Sequence, residues 1–195
     1  MTSSNRRRGR FGTEPPSTGS AEQDAEPDQE SVARAIALRL LTSSARSRGQ
    51  LADAMARKGV PEDVADKVLD RFTEVGLVDD TEYARMLVRT RHAERGLSRR
   101  AIAVELRRRG IDDETAGDAL GQVDSDDEEL AARALVRRKL ASTSGLEPQT
   151  RSRRTFAALA RRGYPAGLVA QLVREELARE GVDASGDPDG FDAGL

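Results

Sequence analysis

Apolar residues recur along the middle of the chain at helical spacing. Val64, Val68, Phe72 and Val75 fall on one face, as do Ile102 and Leu106. Leu168, Leu172 and Glu176 do the same, with Val169 and Val173 beside them. No stretch alternates between apolar and polar residues as a strand would, so the pattern predicts an all-α protein.

The pattern also repeats. Ser47-Arg48-x-x-Leu51-x-x-x-Met55-x-Arg57-Lys58-Gly59-Val60 matches Ser98-Arg99-x-x-Ile102-x-x-x-Leu106-x-Arg108-Arg109-Gly110-Ile111 at every spacing, offset by 51 residues. A third copy ends Leu159-x-Arg161-Arg162-Gly163-Tyr164, 53 residues further on, after a longer loop from Ala141 to Pro148. Preceding helices align through Arg34, Arg85 and Arg133.

Each unit therefore reads as three helices. Ser47 with Gln50, and Ser125 with Glu128, have capping-box spacing. Gly59, Gly110 and Gly163 follow basic pairs and precede apolar residues, the pattern of a helix ending on a left-handed glycine. Pro61 and Pro165 suit the first turn of the third helix, which Asp112, Asp113 and Glu114 favour electrostatically in the second unit. A unit of about 50 residues is marginal alone. The expectation is three tandem three-helix repeats, at 31–78, 79–123 and 124–181, stacked into an elongated curved array with a continuous core.

Composition bounds the flanks. Residues 1–30 carry four arginines (Arg6, Arg7, Arg8, Arg10) and six acids with almost no apolar residue, and 182–195 carry four aspartates and no base. Neither can offset ordering entropy of about 1–2 kcal/mol per residue, so both are expected to be disordered tails. The net charge of −2 conceals a basic body, since 31–181 holds 28 Lys+Arg against 24 Asp+Glu. Only three of the 32 bases are lysine. The absence of cysteine excludes disulfides and thiolate metal sites. No signal peptide or long apolar run is visible, so a cytoplasmic protein with no membrane contact is expected.

One stretch is more specific. Gly76-Leu77-Val78-Asp79-Asp80-Thr81-Glu82-Tyr83-Ala84-Arg85 is followed by Arg95-Gly96-Leu97-Ser98-Arg99-Arg100-Ala101-Ile102-x-x-Glu105-Leu106-Arg107-x-Arg109-Gly110-Ile111. This closely resembles the RecX family of bacterial recombination regulators, from about Val32 to about Glu180. The resemblance implies a non-enzymatic inhibitor without cofactor, acting in recombination, DNA repair and the SOS response. Its partner would be the RecA protein as the filament formed on single-stranded DNA. Members lie in the filament groove and limit its growth, ATP hydrolysis and strand exchange. A monomer with weak non-specific DNA contact is expected. The acidic N-terminal tail and the third-repeat loop depart from common members.

The candidate contact residues are basic and lie on the second helices: Arg99, Arg100, Arg107, Arg108 and Arg109, then Arg151, Arg153, Arg154, Arg161 and Arg162. Last-turn cations such as Arg108, Arg109, Arg161 and Arg162 gain about 0.3–1 kcal/mol from the helix dipole without any partner. Arg99, Arg100, Arg153 and Arg154 are read as beginning helices, where that explanation fails, and so have the strongest claim to bind phosphates or an acidic surface. His92 occupies the slot of Leu41 and Leu140, which points to packing. Asp79, Asp80, Glu128 and Glu129 start helices and are read as caps, and Tyr83, Phe72, Phe156 and Tyr164 as core. The alternative of a helix-turn-helix or non-specific DNA-binding protein meets an obstacle: the would-be recognition helices begin with Glu62, Asp63 and Asp66, or Asp112, Asp113 and Glu114, which repel phosphate. Single-strand binding by stacking would need more than six aromatics, four of them assigned to the core.

Overall fold

The computed structural model describes residues 28–181. Among them there are nine helices and no strand: α1 (Gln29–Ser43), α2 (Arg48–Ala56), α3 (Glu62–Glu74), α4 (Asp80–Ala93), α5 (Arg99–Arg108), α6 (Asp113–Leu120), α7 (Ser125–Ala141), α8 (Pro148–Ala160) and α9 (Ala166–Arg179). None is long and apolar enough to cross a membrane. The tails expected at 1–30 and 182–195 lie almost wholly outside the described residues. Gln29 and Glu30 belong to α1, which Asp28 caps by accepting the Glu30 N–H.

Six of the nine helices start with a side-chain cap, while α3, α8 and α9 have none; Pro61 and Pro165 stand just before α3 and α9, one position ahead of the first turn they were expected to occupy. Ser47 and Gln50 make the expected capping box at α2. Ser98, Asp112 and Asp79 cap α5, α6 and α4. At α7 the cap is Asp124, which accepts the Asp127 N–H, so Ser125 is the first helical residue and not the cap assigned from its spacing to Glu128. Gly59, Gly110 and Gly163 all have positive φ, at 78°, 76° and 83°. The next residue's N–H reaches back five positions in each case, from Val60 to Met55, Ile111 to Leu106 and Tyr164 to Leu159, and both side chains of every pair are buried.

The helices of each unit pack on one another around their own cluster. The first centres on Leu51, Met55, Leu69 and Phe72, the second on Leu87, Val88, Ile102 and Leu106, and the third on Val136, Leu140, Leu159, Leu172 and Leu177. The expected continuous core is therefore not formed: three separate cores exist, one per unit. The buried stripe of each helix packs within its unit, and the units meet through polar groups, glycine and the side chains of Ala101 and Leu135. Tyr83, Phe72 and Tyr164 are buried and Phe156 partly so, as their positions suggested. His92 is partly buried, its Nδ1 facing the Leu97 carbonyl at 3.4 Å.

The two joints share a plan. At the first, an ideal Cβ on Gly49 would lie 2.8 Å from the Gly110 Cα and 2.9 Å from the Arg109 carbonyl oxygen. At the second, a Cβ on Gly163 would lie 2.6 Å from Ser98 Oγ and 2.7 Å from Ala101 Cβ. Ser47 Oγ donates to the Arg109 carbonyl, and the Ser98 N–H donates to the Arg162 carbonyl at 3.0 Å. The start of α2 thus abuts the end of α5, and the start of α5 abuts the end of α8. Opposite partial charges of the helix ends face each other at both joints.

A carboxylate secures each joint from the following unit. Asp80 of α4 accepts the Arg48 N–H at 2.8 Å, and Glu128 of α7 accepts the Arg99 N–H at 2.9 Å. These acids were expected to cap their own helices; they cap the second helix of the preceding unit instead. Burial pushes the Asp80 carboxyl up from its ordinary range.

The first joint carries an additional polar chain. Arg91 and Arg109 both donate to Glu105, Arg109 donates to the Tyr83 hydroxyl, and that hydroxyl donates to Gln50 Oε1 at 3.1 Å. The Arg109 guanidinium also lies 5.9 Å from the Tyr83 ring centre. Hydrogen bonds from Arg91, then from Arg109, lower the Glu105 carboxyl from 4.5 to about 2. A depressed carboxylate stabilises the fold fully above its unfolded value, and this contribution disappears as pH falls from about 4.5 through about 2. Glu105→Gln is therefore expected to destabilise the protein by about 1–2 kcal/mol at neutral pH, after allowance for partial solvent screening. It should also flatten the dependence of unfolding free energy on pH over that acid window. An unchanged acid limb in urea titrations would refute this role.

Candidate partner-binding surface

The abutting ends of α8, α5 and α2 place the second helices in succession, so a partner passing along the molecule meets them in turn. The ten arginines singled out from the sequence do not have equal standing on that surface.

Two are committed to the interior. Arg151 is 4% exposed; it donates to the Leu140 carbonyl at 3.1 Å and to Glu180 at 2.6 Å. It stands where Ser47 and Ser98 stand in the other units. Arg109 is held by Glu105 and Tyr83 at the first joint. Arg107 is exposed but pairs with Asp113 at 2.8 Å. Such a surface pair is worth little and yields readily to a partner. Arg162 is half-buried, donating to the Ala158 and Arg95 carbonyls.

Arg100, Arg108, Arg153, Arg154 and Arg161 are exposed, and among the described residues no carboxylate pairs with any of them. Arg99 is half-buried, with its backbone N–H on Glu128. Arg99 and Arg100 do open α5. Arg153 and Arg154 do not open α8, because Pro148 starts that helix a turn earlier than its counterparts, so they lie mid-helix. Their claim rests on exposure and lack of an acid, not on an unfavourable dipole. Between Arg100 and Arg108 on α5, Val104 remains 41% exposed, giving the cationic face an apolar patch.

The cations of the third unit extend further than the second helices. Arg138 and Lys139, near the end of α7, face Arg161 and Arg162 across a cleft of about 370 Å³ floored by Leu135 and Ala158. Sequence reasoning passed over this pair, although the run Arg137-Arg138-Lys139 is a visible concentration of charge. Arg137 does not join it, since it pairs with Glu176 at 2.8 Å. Glu176 also receives Arg133 and Arg179, and these hydrogen bonds, led by Arg137, hold its carboxyl below the usual range.

Comparison with known proteins adds a family to this geometry. Three family models match in succession: the first three-helix domain of RecX at residues 33–72, the second at 79–120 and the third at 126–173. The chain is 52% identical over 172 residues to the regulatory protein RecX of Thermobifida fusca, covering 88% of this chain and 91% of that one. Identity to the regulatory protein RecX of Streptomyces lividans is 46% over 168 residues, with 85% and 89% covered. The crystal structure of RecX from Lactobacillus salivarius superposes with a TM-score of 0.65 at 22% identity, covering 76% of this chain and 96% of that one. That likeness concerns the fold.

Proposed function

The chain belongs to the RecX family of regulatory proteins, and from that premise we propose that it restrains RecA filaments on single-stranded DNA. It acts as a monomer and without catalysis. The second helices lie along the filament groove and limit filament growth, ATP hydrolysis and strand exchange. The observation that carries this reading is the set of exposed, acid-free cations Arg100, Arg108, Arg153 and Arg154 on helices whose ends abut. Such cations can meet phosphates or acidic side chains in a groove with little loss of existing bonds. Arg107 joins them by exchanging Asp113 for the partner.

The helix-turn-helix alternative draws no support from the structure. Glu62 and Asp63 occupy the first turn of α3, and Asp113 and Glu114 that of α6, where a recognition helix would approach a base edge. The direct test is RecA ATPase on single-stranded DNA at increasing concentrations of this protein. Suppression at levels comparable to RecA, with no hydrolysis by the protein alone, is the expected result. Unchanged RecA turnover at saturating protein would remove the reading.

A further inference from the structure

We infer that the cleft between α7 and α8 is a binding site for the sugar-phosphate backbone of single-stranded DNA, independent of RecA. Four cations surround it: Arg138, Lys139, Arg161 and Arg162, and among the described residues no acid lines it. Arg138, Lys139 and Arg161 have no carboxylate partner among the described residues. Helix ends alone do not explain this concentration. Each helix C-terminus supplies about half a negative charge, so the two ends together offset about one of the four positive charges. Arg162 is oriented by its bonds to the Ala158 and Arg95 carbonyls, and Arg95 belongs to the preceding unit. The second joint thereby fixes one wall of the cleft.

Shape adds to charge. The volume of about 370 Å³ lies at the small end of ligand sites, matching a nucleotide-sized group. The apolar floor of Leu135 and Ala158 suits a sugar or base edge, while the cationic rim suits the phosphates on either side. The cations meet phosphates, which carry no sequence information, so binding is insensitive to sequence. A flexible single strand can bend its phosphates into such a cleft more readily than a stiff duplex can. This site is distinct from the exposed face of α5 and the middle of α8 that the proposed function employs.

The test uses the full chain without RecA, so its outcome and that of the ATPase experiment can be told apart. Binding of a fluorescent oligothymidylate of about 30 nucleotides is followed by anisotropy over a range of salt. The variant Arg138→Gln/Lys139→Gln/Arg161→Gln is expected to weaken binding at least tenfold. Its slope of log K against log salt should fall by about 2, since each phosphate contact on a single strand contributes about 0.7. The variant Arg138→Lys/Arg161→Lys should retain both affinity and slope, and circular dichroism should show all three proteins equally helical. Unchanged binding by the triple variant overturns the site. So does tighter binding of a duplex than of the strand, or complete displacement of the strand by polyglutamate at equal charge, which would assign the cleft to an acidic protein.

Discussion

Replacing Arg100, Arg108, Arg153 and Arg154 by glutamate is expected to abolish inhibition of RecA while leaving the fold intact. The reversal changes the net charge by eight units, and among the described residues no carboxylate pairs with any of the four. Stability is preserved for reasons specific to each site. At the start of α5, Glu at 100 gains about 0.3–1 kcal/mol from the helix dipole, and Glu at 108, in its last turn, loses a similar amount. Positions 153 and 154 are mid-helix, where Arg and Glu have nearly equal helix propensity. Arg99 is left unchanged because its half-buried position beside Glu128 would mix binding with folding. Affinity for the RecA–DNA filament should drop more than a hundredfold, with a shallower salt dependence than the unmodified protein. An equal alteration of Glu175, Glu176 and Arg179 would disturb the Arg133 network, so the better control is Arg39→Glu/Arg71→Glu/Arg85→Glu/Arg174→Glu, the same eight-unit change at exposed positions off the second helices. Full inhibition by a well-folded quadruple variant would move the contact surface elsewhere.

The second large effect is expected at Gly49. In an ordinary helix, replacing glycine by leucine stabilises by nearly 1 kcal/mol, because the chain has less backbone entropy to lose. At Gly49 the sign reverses. The new Cβ would lie 2.8 Å from the Gly110 Cα, a backbone atom that no rotamer change can move aside. Gly110 cannot relax easily, since its φ of 76° ends α5 in the left-handed region. Overpacking of this kind costs about 1–3 kcal/mol. The cost falls on the joint and not on a core, so Gly49→Leu should keep its helicity while the first unit swings away from the second. Small-angle scattering should show a larger radius of gyration, and RecA inhibition should fall at least tenfold. Gly117→Ala on α6, with nothing within 4 Å of its new methyl, should instead stabilise by about 0.4–1 kcal/mol. Unaltered scattering from Gly49→Leu would mean that the joint tolerates a side chain and does not set the arrangement of units.

The all-α repeat was legible because its punctuation is local. A serine cap, a buried pair five residues apart and a glycine between them recur in a fixed frame, and each is decided by neighbours in sequence. The joints were less legible for the same reason. Asp80 and Glu128 have the composition of helix starts, and nothing local says that their carboxylates reach back to Arg48 and Arg99. The continuous core failed as an expectation because hydrophobic periodicity reports which residues are buried, not whether neighbouring clusters merge. At the candidate surface, sequence identified the arginine-rich helices but could not separate exposed Arg153 from buried Arg151, two positions earlier. That separation depends on Leu140 and Glu180, contributed by α7 and the end of α9.

Arg151 also sets the third unit apart from the first two. In the first two units a buried serine at this position opens the second helix to the glycine turn of the unit that follows. In the third unit the serine is gone. Arg151 folds inward onto Glu180 of its own unit, and α8 gains a leading turn from Pro148. At the opposite end the turn at Gly59 has, among the described residues, nothing within 4 Å of its missing methyl. Among the described residues the joint chemistry thus has a polarity: the first unit presents an uncovered glycine turn, and the third presents no serine to receive one.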